Sequence, residues 1–98
     1  MRLIMCGRGM VLTPSFKALV ERKLGKLARL RPQILDARVT CAVEKFRRTV
    51  RLTLRARRRT FSAVATAGDL LAAIDAAIGV LSRQVSEEKR RRRARLHS

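Results

Sequence analysis

The sequence has no tryptophan and no tyrosine, and it holds only three phenylalanines, one histidine, two cysteines, two prolines and seven acidic residues. With so few aromatics the core must be aliphatic, and a sheet that binds RNA by stacking bases on a row of aromatic rings is argued against. The single histidine is His97, close to the last residue. No His/Cys cluster has the spacing of metal ligands, no glycine-rich loop is of the kind that cradles a phosphate, and the one serine-containing turn has no base partner. Neither catalysis nor a metal or cofactor is therefore expected. Cys6 and Cys41 lie in separate apolar runs, form no Cys-x-x-Cys pair, and read as reduced, buried thiols. The apolar start, Met1 to Cys6, is too short for a signal peptide. No stretch approaches the ~20 apolar residues of a membrane span. A cytoplasmic protein is expected.

What the sequence does hold is positive charge. Lysine and arginine number 24 in 98 residues, for a formal net charge of +17. Self-repulsion at that charge favours a polyanionic partner. Hydrophobic residues still make up 47% of the chain, too many for a disordered basic tail. One folded domain over residues 1–93 is expected, followed by a disordered basic tail over 94–98.

Residues 2–6 read as a strand ending at Gly7 and Gly9. Thr13 is an N-cap and Pro14 a first helical residue. The apolar stripe Phe16, Leu19, Val20, Leu24 and Leu27 carries that helix to about Leu30, where Arg31-Pro32 ends it. Residues 34–43 alternate, with Ala37, Val39, Cys41 and Val43 on one face. Residues 49–57 alternate again, with Val50, Leu52, Leu54 and Ala56 inward, and 60–66 place Phe61, Ala63 and Ala65 inward. Arg57-Arg58-Arg59 is poor turn chemistry for the hairpin between the last two strands. Asp69 caps a second helix whose stripe is Ile74, Ala77, Ile78, Leu81 and Val85. The order is β-α-β-β-β-α. One apolar sheet face and two amphipathic helices predict an α+β two-layer sandwich, with both helices on one face of a four-stranded mixed sheet.

Arg22, Lys26 and Arg29 fall at i, i+4 and i+7 with Lys23 beside them, forming a basic ridge suited to phosphates. Arg83, Lys89, Arg90 and Arg91 extend such a surface along the second helix. Arg92 and Arg93 fit either that surface or a loose polybasic end. Arg38, Arg51 and Arg55 would cover the open face of the sheet. Phe46, in the turn from Glu44 to Arg48, reads as a packing residue, with contact to a base as the alternative. Asp69 and Asp75 read as a helix cap and a helix surface residue.

Five segments in order resemble the ribosome hibernation promoting factor family, which is related to the ribosome-associated inhibitor and the sigma-54 modulation protein. They are Gly7-Arg8 with Leu12-Thr13-Pro14, Arg22 to Leu27, Val43-Glu44-Lys45, Asp69 to Asp75, and Leu81-Ser82-Arg83-Gln84-Val85. The resemblance spans about residues 2–91 and is to the short form, without the second, dimerising domain of the long form. It implies the same β-α-β-β-β-α fold. It also implies binding to 16S rRNA in the mRNA/tRNA channel of the small ribosomal subunit, within the 70S ribosome, and a block of translation in stress or stationary phase. Pairing of ribosomes with the help of another factor is implied for short forms. The rRNA contacts carry over onto Lys23, Lys26 and Arg83, and approximately onto Lys89, Arg90 and Arg91. Val80 and Glu87 stand where the family is usually basic. Two rivals remain: a general RNA- or DNA-binding protein, from net charge alone, and a protein of anionic membrane surfaces, from the apolar stripe and basic end of the second helix.

Overall fold

A computed structural model describes residues 1–30 and 34–97, with side-chain surroundings through Ala94. The elements run β1 (Arg2–Arg8), α1 (Pro14–Leu30), β2 (Ile34–Glu44), β3 (Arg47–Ala56), β4 (Thr60–Ala67) and α2 (Leu70–His97). The expected order and mixed sheet are both present. The strands lie β1-β2-β3-β4, with β1 parallel to β2 and the other two pairs antiparallel. The parallel pair follows from the helical crossover between β1 and β2.

Period-2 patterning fixes which face is buried. Val39 and Cys41 of β2, Val50, Leu52 and Leu54 of β3, and Phe61 and Ala63 of β4 point to one side and are buried. Val20, Leu24 and Leu27 of α1 join the same cluster, as do Ala73, Ile74, Ala77, Leu81 and Val85 of α2. Both helices therefore cover one face, and the core is aliphatic apart from Phe61.

The caps stand where the side-chain chemistry puts them. Phe16 N–H donates to Thr13 Oγ1 at 3.1 Å, and Ala72 N–H donates to Asp69 Oδ1 at 2.8 Å. Each satisfies one orphan donor of a first turn. Gly7 is required by crowding, because a Cβ there would sit 2.6 Å from the Met10 carbonyl oxygen. Gly9, with φ of +71°, turns the chain in the left-handed region open to glycine.

Several boundaries differ from the sequence reading. β1 runs on through Arg8, and β3 starts two residues early, at Arg47. The arginine-rich loop 57–59 closes without glycine or asparagine. Ala56 N–H donates to Arg59 O at 2.8 Å, and the Arg59 guanidinium lies 5.0 Å over the Phe61 ring. That cation–π contact supplies local order that turn residues usually provide. The reading that Arg31-Pro32 ends the first helix lies outside the described residues. Residues 94–97, read from sequence as tail, continue α2. Both thiols are free, but only Cys41 is buried as expected; Cys6, opposite Thr40 on the open face of the sheet, is exposed. Burial, and secondarily the nearby Cys6, raises the Cys41 pKa.

Candidate nucleic-acid interface

The stripe that seats α1 on the sheet leaves Arg22, Lys26 and Arg29 exposed along one flank, with Lys23 half-buried beside them. α2 lies against this flank. Between the helices runs a groove of about 250 Å³ lined by Lys23, Lys26, Leu27 and Leu30 of α1 and by Ile78 and Ser82 of α2. Its floor is apolar and its rim carries two ammonium groups and a hydroxyl. Those are donors of the kind that hold a sugar–phosphate chain without reading its sequence. The sequence gives Ser82 no binding role. It follows Leu81 of the buried stripe, and only the position of α1 turns that flank into a groove wall.

Lys23 has a second engagement. Its Nζ lies 2.7 Å from Oδ1 of Asp75 on α2. Asp75 is a helix surface residue, as the sequence suggests, and it also ties α2 to α1 at the groove.

The structure brings Lys23 and Lys26 together but not the rest of the expected set. Arg22, Arg29, Arg83, Lys89, Arg90 and Arg91 are exposed and lie outside the groove lining. Arg83 and Arg90, seven residues apart, share the face of α2 turned away from the sheet. Among the described residues the last buried one of α2 is Glu88, at 8% exposure, while residues 89–94 are exposed and the helix continues to His97. Lys89 to Arg93 thus stand on an overhanging helical arm. Val80 is half-buried and packs against the core, which accounts for an apolar residue there.

The open sheet face is polar and basic. Arg2, Arg8, Arg38, Arg51 and Arg55 are exposed there. Hydroxyls pair across it, Thr49 with Thr66 at 3.1 Å and Thr53 with Ser62 at 3.5 Å. Asp36 accepts from Arg55 Nε at 2.8 Å and also from its Nη2. The hydrogen bond from Arg55 holds the Asp36 carboxyl below its ordinary pKa, aided by the charges of Arg55, Arg38 and Arg2. This face carries no aromatic ring, so stacking on the sheet itself has no platform.

One expectation is corrected. Phe46 does not pack; it is 91% exposed at the tip of the β2–β3 hairpin. Glu44 and Arg47 are the last paired residues, so the turn is Lys45-Phe46 alone. A two-residue loop has no room to fold a side chain back over the core.

Among the described residues no group of three or more His, Cys, Asp and Glu could hold a metal ion. No helix among them is long and apolar enough to cross a membrane.

Comparison with known families decides the kinship. The model of the sigma 54 modulation protein / S30EA ribosomal protein family matches residues 3–93. The chain belongs to this family. The resemblance to hibernation promoting factors, read from five short segments, is borne out. Two solved structures are similar to this S30EA-family chain. One is a ribosomal subunit interface protein from Coxiella burnetii, with 25% identity, TM-score 0.85, and coverage of 91% of this chain and 98% of that one. The other is the N-terminal domain of Protein Y from Thermus thermophilus, with 26% identity, TM-score 0.83, and coverage of 89% and 98%. None of the curated proteins compared with the chain matches it. Several residues that carry the family resemblance have structural work here: Thr13 and Asp69 cap, Gly7 makes room, and Gln84 Nε2 donates to Ser62 O at 3.0 Å, fastening α2 to β4.

Proposed function

We propose that this chain is a ribosome hibernation factor of the cytoplasm. It binds 16S rRNA in the mRNA/tRNA channel of the small subunit and so blocks translation in stress or stationary phase. The observation that carries this reading is the cationic groove between α1 and α2, with Lys23 and Lys26 on its rim and Arg22 and Arg29 along the same flank. Phosphate contacts there position the protein. The Arg83 and Lys89–Arg91 ridge adds the bidentate guanidinium donors of Arg83, Arg90 and Arg91, with the Lys89 ammonium, on a second line of approach. The work is occlusion: a bound protein excludes mRNA and tRNA without bond chemistry. Both 30S and 70S particles are substrates for binding, and pairing of ribosomes requires another factor.

The alternative, a general RNA- or DNA-binding protein, draws on the net charge of +17 and the overhanging arm. Co-sedimentation with purified small subunits at ~200 mM salt, with excess duplex DNA present, separates the two, because binding by charge alone is weakened by both conditions. Retention near one protein per subunit, lost when mRNA and tRNA occupy the channel, is the expected result. Retention that collapses with the competitor would establish the alternative. The Lys23→Glu/Lys26→Glu double variant should fold and fail to sediment with subunits.

A further inference from the structure

The topology gathers one set of features at a single end of the sheet. β1 and β2 finish there, at Arg8 and Glu44; β3 starts there at Arg47, and β4 finishes at Ala67. Both helices begin there, at Pro14 and Leu70, and neither has an acidic residue in its first turn. The β2–β3 turn holds Phe46 out at 91% exposure, and the loop after β1 holds Val11 out at 89%. Phe61 is buried and Phe16 is packed against the core, so Phe46 is the aromatic that the fold does not use. Lys45, Arg47 and Arg48 flank it in sequence. Glu44 and Asp69 are the acids at this end, and the Asp69 carboxylate is occupied in capping α2. Beside the Phe46 ring opens a cleft of about 500 Å³, lined by Phe46, Arg47, Thr66, Ala67 and Gly68.

We propose that Phe46 is a base-stacking finger, whose ring takes one unpaired nucleobase of the bound RNA while Lys45 and Arg47 meet the flanking phosphates. The inference rests on the RNA-binding reading above and adds to it a contact at the end of the molecule remote from the lysine groove. Three physical features favour a nucleobase in the cleft. Every base presents a π-face, so stacking is compatible with an otherwise sequence-blind surface. The surrounding cations suit a ligand that is apolar in its ring and anionic in its backbone. The turn has only two residues, with Lys45 held in the left-handed region at φ of 52°, so the backbone that carries the ring is set before binding and only the side-chain rotamer remains to be ordered. The base must be unpaired, because a duplex buries its base faces.

The absence of tryptophan and tyrosine supplies the test. Phe46→Trp creates a single fluorophore at the finger, and circular dichroism checks that each variant is folded. Phe46→Ala should weaken small-subunit binding about tenfold, Phe46→Trp should retain it, and Phe46→Leu should not rescue it. The tryptophan emission should be quenched by small subunits and by single-stranded RNA, and left unchanged by duplex RNA of equal length. Full binding by Phe46→Ala, in a preparation where Lys23→Glu/Lys26→Glu has lost it, overturns the finger and leaves the ribosome reading standing. Full rescue by Phe46→Leu overturns it in favour of an apolar contact with ribosomal protein. Should the wild-type chain fail to bind subunits, the ribosome reading falls alone. Quenching by single strands then sustains the finger, and its absence overturns it.

Discussion

Lys23 on α1 and Asp75 on α2 meet at 2.7 Å across the mouth of the interhelical groove, so one of the lysines best placed for phosphate is already held by a carboxylate. The pair is partly solvated, and such pairs add about 0–1 kcal/mol to stability. Its larger effect is on the field of the groove. Asp75→Asn should leave the melting temperature nearly unchanged and tighten binding to small subunits about two- to threefold, by removing a competing anion. A binding titration of the two proteins at matched salt checks this. Weaker binding by the variant would mean that Asp75 acts by positioning the Lys23 ammonium.

The turn after β1 depends on the missing side chain at position 7. Gly7→Ala should destabilise the protein by about 1–3 kcal/mol, since the new Cβ meets backbone at the Met10 carbonyl, not a movable side-chain tip. Gly25→Ala should do the opposite. It lies within α1, a Cβ there meets nothing within 4 Å, and the gain should be about 0.5–1 kcal/mol. Urea unfolding of both variants, read as shifts in midpoint at constant slope, measures each change.

Thiol chemistry should separate the two cysteines. Cys6 is exposed, whereas Cys41 is buried and its pKa is raised by that burial, so little thiolate forms near neutral pH. A thiol reagent at pH 7.5 should label one cysteine per native chain and both of the two in denaturant. Rapid labelling of both in the native protein would contradict the position of Cys41 in the core.

Acid should weaken the open face of the sheet. Asp36 titrates below its ordinary value in the folded chain because Arg55 hydrogen-bonds its carboxylate. A lowered folded pKa means that the stabilisation is complete above the unfolded pKa, near 3.9. It is lost as pH falls through the lower, folded value. The difference in thermal midpoint between wild type and Asp36→Asn should therefore be constant from pH 5 to 7 and shrink below about pH 4. A difference that persists unchanged at pH 2 would exclude the carboxylate as its source.

The fold was legible because its signals are local. Val39 and Cys41 alternate with Arg38 and Thr40, Thr13 precedes Pro14, and Asp69 precedes an apolar stripe; each constrains backbone within a few residues. The site was legible only in part. The cations of both helices could be placed on exposed faces by periodicity, but the pairing of Lys23 with Asp75 and the role of Ser82 depend on how α1 lies against α2, which no local pattern encodes. Phe46 was misread for a related reason. The turn from Glu44 to Arg48 could be read from the sequence, but hydrophobicity predicts burial on average, and only the hairpin register, with Glu44 opposite Arg47, narrows the turn to two residues and leaves Phe46 nothing to pack on. α2 runs four residues beyond the expected limit at Arg93, because the last residues of a chain usually fray, whereas Ala94, Arg95 and Leu96 are good helix formers.

The overhang of α2 separates two properties that most small domains must trade against each other. Among the described residues the last buried one is Glu88, and the densest run of cations begins at Lys89. Changes in the number or identity of the arm's charges can alter affinity for a polyanion without touching a core contact, and core changes can alter stability without touching the arm. Selection, or a protein engineer, therefore has two independent dials on one helix.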